Sequence, residues 1–192
     1  MLLAMADDGA YLLRENTGTS GVVLTARAAA AALADYEIPH LIVGGVAVQE
    51  HGYPRVTIDV DIVVPDVLEA VEFLTANLTG PFARVSGWPD RLEDRRNGVN
   101  IDLLPAGQVL KSGCKVPFPE PTKSTEELQI VDLETLVSLK LDSWSNNPLK
   151  RLRDKTDVVE LILRRKLSRD LPVATPVRSI YYEIWDAIQK ET

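Results

Sequence analysis

The chain has 192 residues, of which 45% are hydrophobic and 26% charged, a composition that is typical of a globular protein with a well-formed core. The formal charge of −7 argues against a protein that coats nucleic acid through charge alone, and no apolar run is long enough for a membrane helix, so no membrane association is expected. The single cysteine, Cys114, excludes an internal disulfide and indicates a reducing, cytoplasmic location.

Helices and strands alternate in the first half of the chain. The initial stretch MLLAMADDGAYLLREN lacks the basic start, apolar stretch and cleavage site of a secretion signal, so we expect none. The pattern of apolar residues predicts helices at 20–38, 46–52 and 66–78 and strands at 41–43, 57–65, 82–88 and 99–105. The polar run RLEDRRNG at 91–98 predicts a turn before the last of these strands.

The second half is predicted to be helical. A proline-rich connector, KVPFPEPTKST, precedes helical patterns at 132–146, 149–167 and 176–190. The order of elements therefore indicates an α/β core at 20–106 and a C-terminal helical region at 126–192, which we expect to pack together as one structural unit.

Two acids stand in the apolar stretch RVTIDVDIVVP. Side chains alternate between the two faces of a strand, so Asp59 and Asp61 are predicted to share one face, about 7 Å apart along it. Ile58, Val60 and Ile62 are expected to point to the opposite face and into the core. Two carboxylates on one face repel each other, and a divalent cation removes this cost; Mg²⁺ is the hard ion that carboxylate oxygens favour.

A third acid stands on another apolar strand. Asp102 is the only acid in the run VNIDLLP, and it joins the same face if this strand pairs beside the strand of Asp59 and Asp61. Three carboxylates on neighbouring strands can hold two metal ions about 4 Å apart. The alternative is that such Asp-x-Asp pairs are solvated residues of an edge strand.

A glycine pair precedes these acids. Gly44 and Gly45 lie between a predicted buried strand and a predicted helix, where backbone N–H groups can bind phosphate and glycine lets the phosphate approach closely. A glycine pair alone is usually only a turn. Placed before Asp59, Asp61 and Asp102, it predicts a site for phosphate and metal.

These residues resemble a known family. Gly44-Gly45, the motif Arg-x-Thr-x-Asp-x-Asp at 55–61 and the later Asp102 are similar to the nucleotidyltransferase fold of the DNA polymerase β type. The string LIVGGVAVQEHGYPRVTIDVDIVV is most similar to the AbiEii-like and MenT-like nucleotidyltransferases, which include toxins of toxin–antitoxin pairs. LVSLKLDSW and RLRDKTDVVEL resemble the lysine and aspartate motifs of the helices in that family, so the resemblance covers about 38–163.

The resemblance implies a fold and a set of roles. The implied fold is a small mixed sheet with flanking helices. The implied ligands of two Mg²⁺ ions are Asp59, Asp61 and Asp102, and Asp102 is alternatively the base that accepts the proton of the acceptor hydroxyl. The implied nucleotide-binding residues are Gly44, Gly45, Arg55, Thr57 and Lys140. Asp157 is implied to orient Lys140 or a substrate hydroxyl, and the implied catalytic residues are Asp59, Asp61, Asp102, Lys140 and Asp157.

Two departures from the family pattern matter. Gly45 stands where many relatives have serine, so the hydroxyl contact to phosphate is missing there, and either Arg151 or Arg153 can fill the arginine position. Simpler interpretations stay open for the remaining residues. Arg55 can pair with Asp59 or Asp61. Lys140 can be a solvated lysine, and Asp154 and Asp157 can form surface pairs with Lys155.

The sequence therefore predicts a Mg²⁺-dependent nucleotidyltransferase that moves a nucleoside monophosphate from an NTP to an acceptor hydroxyl. The acceptor is a tRNA 3′ end, a protein, or a small molecule such as an aminoglycoside. Basic clusters at 150–155 and 163–169 favour RNA, whereas the acidic total charge disfavours it, and the simpler interpretation of these clusters is solvated helix faces that pair with nearby acids. The family implies an antitoxin as a further partner. The alternatives are a non-catalytic nucleotide- or partner-binding relative and, with less support, a metal-dependent phosphohydrolase.

Overall fold

The computed structural model describes residues 20–124 and 127–191, so the initial stretch tested above for a secretion signal lies outside the described residues. A five-stranded mixed sheet, in the order β1-β2-β5-β4-β3, forms its centre. The strands are β1 (Leu41–Val43), β2 (Asp59–Val64), β3 (Phe82–Arg84), β4 (Arg91–Asp94) and β5 (Val99–Pro105). Only β2 and β5 pair in parallel; the other neighbours are antiparallel.

Six α-helices surround this sheet in the described residues. They are α1 (Gly21–Asp35), α2 (Gly44–Glu50), α3 (Val67–Thr75), α4 (Leu133–Asn146), α5 (Leu152–Arg165) and α6 (Arg178–Glu191). The side chains of Ser20, Asp66 and Asp132 accept hydrogen bonds from the first turns of α1, α3 and α4, which supplies partners for backbone N–H groups that have none within a helix. The predicted mixed α/β architecture is confirmed.

One face of the sheet, here called the closed face, packs against α1 and α3. Its strands contribute alternate apolar residues, among them Val60, Ile62 and Val64 of β2 and Ile101 and Leu103 of β5. Each of these five side chains is fully buried. Complete burial of such a side chain contributes roughly 1.5 to 3 kcal/mol to folding, so this layer fixes the register of β2 and β5.

The other face, here called the open face, is covered only in part. Leu41, Val43 and Val63 pack against α4, α5 and α6 in a second hydrophobic cluster. The C-terminal helices therefore share a core with the sheet, while the proposed boundaries at 20–106 and 126–192 stay a prediction. None of the helices in the described part of the chain has the length and apolar content that a bilayer crossing requires.

Three local predictions were wrong. RLEDRRNG contains strand β4, because Leu92 is buried between the layers and the residues beside it hydrogen-bond to β5. Ile58 does not enter the core but is 72% exposed, since β2 begins only at Asp59. Gly44 and Gly45 are the first residues of helix α2 rather than a turn before it.

Candidate active site

An open-sided cavity of about 620 Å³ lies over the uncovered part of the open face. Its floor comes from β2 and β5, and its walls come from the start of α2, from α4 and from the segment that leads into α5. All predicted site residues except Asp157 line this cavity. The fold therefore brings together motifs that are about a hundred residues apart in the chain.

Three aspartates lie on the floor. Asp59 and Asp61 alternate along β2 with buried residues of the closed face, so both side chains are on the open face. The parallel pairing of β2 with β5 places Asp102 directly opposite Asp61. The strand pairing expected from the sequence is thus observed, and the roles of the three carboxylates stay a prediction.

The Asp61 carboxylate is in an unfavourable environment. Burial, followed by the charge of Asp59, raises the pKa of Asp61 to about 6, although Lys140 offsets part of this rise. Within residues 20–124 and 127–191 we find no hydrogen bond that compensates this carboxylate. Asp59 receives one long hydrogen bond from the Thr57 hydroxyl, at 3.3 Å. A bound cation would stabilise the ionised form of both groups.

The two glycines make room for these side chains. Gly44 has a φ of +63°, and a Cβ atom there would overlap the Asp61 carboxylate. A Cβ atom at Gly45 would overlap the hydroxyl of Thr57. Glycine is therefore needed at both positions for close packing of α2 against β2 and the segment that precedes it. Contact of Gly44 and Gly45 with a triphosphate stays a prediction.

A chain of charged side chains forms the opposite wall. Lys140 of α4 lies 2.8 Å from an Asp154 oxygen and 2.9 Å from an Asp157 oxygen of α5. The Ser143 hydroxyl donates to the second Asp154 oxygen. Both aspartates are buried, which corrects the interpretation of Asp154 and Asp157 as surface pairs with Lys155.

Arg55 completes this wall rather than the floor. Its guanidinium donates to both oxygens of Asp157, at 2.7 and 2.9 Å, and to the carbonyl of Val56. The pairing of Arg55 with Asp59 or Asp61 that the sequence left open is therefore not observed. Asp157 pairs with both Arg55 and Lys140, so it connects the segment before β2 to α4. Its role in orienting Lys140 stays a prediction.

Arg91 is a residue of the cavity that the sequence did not indicate. This residue begins β4 opposite Asp102, and its Nε and Nη2 atoms lie 2.5 and 2.8 Å from the two carboxylate oxygens of Asp102. Its guanidinium also stacks over the ring of Trp88, 4.8 Å from the ring centre. The alternation of charged and apolar residues in RLED was the available signal, but it is too short to outweigh the polar residues that follow.

The chemistry of the floor fits a hard divalent cation, because carboxylate oxygens are the ligands that Mg²⁺ prefers. Asp59 and Asp61 are free to bind it, whereas both oxygens of Asp102 face Arg91. Accordingly, no three acidic, histidine or cysteine side chains converge around a common point within the described residues. Binding of a metal ion by all three aspartates would place the ion on a carboxylate that Arg91 already contacts through both oxygens.

Comparison with known proteins gives structural likeness only. No family model matches the chain, and no curated protein sequence matches it. The solution structure of the antibiotic-resistance factor ANT(2'')-Ia is similar, with 15% identity and a TM-score of 0.48, over 87% of this chain and 95% of that chain. A crystal structure of ANT(2'')-Ia in complex with adenylyl-2''-tobramycin has 13% identity and a TM-score of 0.49, over 84% and 94%. These sequence identities and TM-scores are too low to support an argument about function.

Proposed function

We propose that this protein is a Mg²⁺-dependent nucleotidyltransferase, which moves a nucleoside monophosphate from an NTP to an acceptor hydroxyl and releases pyrophosphate. One observation carries the proposal: Asp59, Asp61 and Asp102 lie on adjacent parallel strands, at the floor of a cavity whose opposite wall presents Lys140. Acids for a cation on one side and a cationic group on the other are what in-line phosphoryl transfer requires.

The charged residues of the site have different proposed roles. Asp59, Asp61 and Asp102 would hold Mg²⁺, which when bound supplies charge neutralisation at the triphosphate and lowers the pKa of the attacking hydroxyl. Lys140 binds a triphosphate oxygen with its compact ammonium group. Asp157 and Arg55 keep Lys140 in place. Asp102 is the remaining acid beside the acceptor, either as a ligand or as the group that accepts its proton.

The acceptor is proposed from the rim of the cavity. Lys150, Arg151 and Arg153 line one side, and Trp88, 55% exposed, lines another. Basic side chains bind phosphates, and an exposed aromatic ring can stack on a base. These features favour an RNA end, such as a tRNA 3′ end, over a protein hydroxyl or a polycationic aminoglycoside. The family resemblance further suggests a toxin role with an antitoxin partner, which growth arrest on expression would test.

The acceptor is tested by labelled transfer. We expect label from at least one α-³²P-labelled NTP to appear on RNA when the protein is incubated with Mg²⁺ and total RNA, with parallel reactions on protein and on an aminoglycoside panel. Asp59→Asn is expected to abolish transfer, and Asp170→Asn, at an exposed acid that does not line the cavity, serves as the matched control. Label on an aminoglycoside alone would refute the RNA acceptor, and label on none of the three would refute the transferase.

A second candidate is favoured by the pairing of Asp102 with Arg91. A site whose third acid is occupied by arginine fits a module that binds nucleotide without transferring it. Calorimetric titration of NTP, with and without Mg²⁺, separates the two functions. Binding of NTP without pyrophosphate release or labelled product supports the module and contradicts the enzyme.

A further inference from the structure

Arg91 blocks the third carboxylate of the floor. It contacts both oxygens of Asp102 at once, in the fork geometry that makes Arg–carboxylate pairs strong and directional. The two side chains are 30% and 22% exposed, so they are only partly screened by water. As long as this pair is closed, Arg91 engages both oxygens of Asp102, which makes them less available to a metal ion at Asp59 and Asp61.

The surroundings hold Arg91 at this position. Trp88 stacks against the guanidinium, and the backbone N–H of Leu103 donates to the carbonyl of Asp90, which extends the pairing of β5 up to the residue before Arg91. A stacked guanidinium keeps its charge beside the floor even when its hydrogen bonds open. Arg91 therefore acts at a high local concentration, whereas a metal ion must arrive from solution.

We propose that Arg91 takes the place of a divalent cation at Asp102, so that the closed Arg91–Asp102 pair competes with metal binding and sets the metal affinity of the site. The proposal rests on the proposed function, since it assumes that the three aspartates form a metal site. It explains why the three carboxylates share a face but do not converge. Arg91 is thus a positioning residue that acts through Asp102.

Two physical effects favour the same outcome when Arg91 is neutralised. The Asp102 oxygens become available as ligands, and a positive charge is removed from beside the incoming cation. Arg91→Gln is therefore expected to bind metal about tenfold more tightly, since it loses the charge-assisted fork to Asp102. Arg91→Lys keeps the charge but loses the fork, and its affinity is expected to lie between those of Arg91→Gln and the unaltered protein.

The test measures Mn²⁺ binding without nucleotide, by electron paramagnetic resonance of the free ion, because Mn²⁺ also prefers carboxylate oxygens. The matched control is Arg169→Gln. Arg169 forms a similar two-point pair with Asp186, at 2.8 and 3.0 Å, and stacks over Tyr182 at 4.2 Å. This variant removes the same kind of interaction away from the cavity, so its Mn²⁺ affinity should be unchanged.

The outcomes separate the two proposals. Tighter Mn²⁺ binding by Arg91→Gln, unchanged binding by Arg169→Gln and weaker binding by Asp61→Asn would support the inference. Equal or weaker binding by Arg91→Gln would overturn it while leaving the metal site in place. Absence of Mn²⁺ binding in every protein would overturn the inference, whereas the proposed function is decided separately by labelled transfer. If Arg91→Gln does not fold, an unaltered affinity in Arg91→Lys overturns the inference in its place.

Discussion

Two carboxylates in neighbouring parts of one sheet have opposite environments. Asp94, on the closed face, is fully buried and accepts hydrogen bonds from the Thr25 hydroxyl at 2.7 Å and from Arg96 at 2.6 to 3.0 Å. Burial raises its pKa, but hydrogen bonds from Arg96 and Thr25 outweigh this effect and hold the pKa below its usual value. Asp61, on the open face, has a pKa raised to about 6.

On the proposed function, the difference separates an acid that serves the fold, Asp94, from an acid that serves a ligand, Asp61. Where the fold needs a buried carboxylate, it supplies donors, as it does for Asp94. Among the described residues, no hydrogen-bond donor of comparable strength contacts Asp61. A bound cation would stabilise its ionised carboxylate. Buried groups with an uncompensated charge cluster at functional sites. Three variants, Asp61→Asn, Asp94→Asn and Gly44→Ala, test this contrast between Asp61 and Asp94.

The largest expected effect is on transfer. Asp61→Asn removes a charged ligand of the proposed metal site, so we expect label transfer to fall by about a thousandfold or more, a loss comparable to that of other charged groups in phosphoryl transfer. The unfolding free energy without metal should not fall, because repulsion with Asp59 is relieved. The check is initial-rate measurement with labelled NTP alongside urea unfolding. Unimpaired transfer would contradict the metal assignment.

The second effect is on pH dependence. Asp61 has an ordinary pKa of 3.8 in the unfolded chain and about 6 in the folded protein. As pH rises between these values, the unfolded chain releases the proton while the folded protein keeps it, so stability is lost, by at most about 3 kcal/mol. Urea unfolding in EDTA at pH 4 to 7 should show that the unfolding free energy of Asp61→Asn rises relative to that of the unaltered protein as the pH increases. A constant difference across this range would contradict the raised pKa.

The opposite sign is expected for Asp94. Because its pKa is lowered in the folded protein, its contribution to stability is present above its unfolded pKa and is lost as pH falls through the lower, folded value. Asp94→Asn should therefore flatten the acid side of the stability profile, whereas Asp61→Asn should flatten the part between pH 4 and 6. The two variants act as controls for each other.

The third test uses two glycines that each begin a helix. Gly44→Ala forces a side chain into a left-handed conformation and into the Asp61 carboxylate, so we expect a loss of about 2 to 3 kcal/mol in unfolding free energy together with loss of transfer. Gly21 begins α1, and a Cβ atom there would lie 3.4 Å from the Asn97 side-chain nitrogen, an ordinary van der Waals distance. Gly21→Ala is therefore the matched control. It should be neutral or stabilising by about 0.5 kcal/mol. Equal effects in thermal unfolding would refute the close approach of Gly44 to Asp61.

The smallest effect is the stability loss of Asp94→Asn. Because the partner Arg96 is about half exposed, we expect a loss of about 2 kcal/mol rather than the larger cost of a fully buried pair. Transfer per folded molecule should be unchanged, because Asp94 faces α1 and not the cavity. Loss of transfer without loss of stability would contradict the claim that Asp94 serves the fold and not the cavity.

Local pattern was sufficient for part of this structure. The alternation in TIDVDIVV predicts that Asp59 and Asp61 share a face, and the apolar runs around them predict β2 and β5. The pairing of these two strands depends on α3 and the β3–β4 hairpin between them, which the sequence only partly indicated. β4 was missed because Leu92 is its single apolar core residue, and its stability comes from pairing with β5.

The partners of charged residues could not be predicted, because they come from distant segments. Thr25 and Asp94 are 69 residues apart, and Arg55 and Asp157 are 102 residues apart. No spacing rule connects such pairs; only the packing of α1 and α5 on the sheet brings them together. Arg91 and Asp102 are only 11 residues apart, on the consecutive strands β4 and β5. Their pairing was missed because β4 was predicted to be a turn.

The most direct test of the central claim is pyrophosphate release coupled to label transfer, measured with and without Mg²⁺. The unaltered protein should transfer nucleoside monophosphate from at least one NTP to an acceptor, with one pyrophosphate released per transfer, and chelation of the metal should stop both. Transfer that continues at full rate in EDTA, or no release and no transfer with any of the four NTPs, would contradict the assignment of the open face as a metal-dependent nucleotidyl-transfer site.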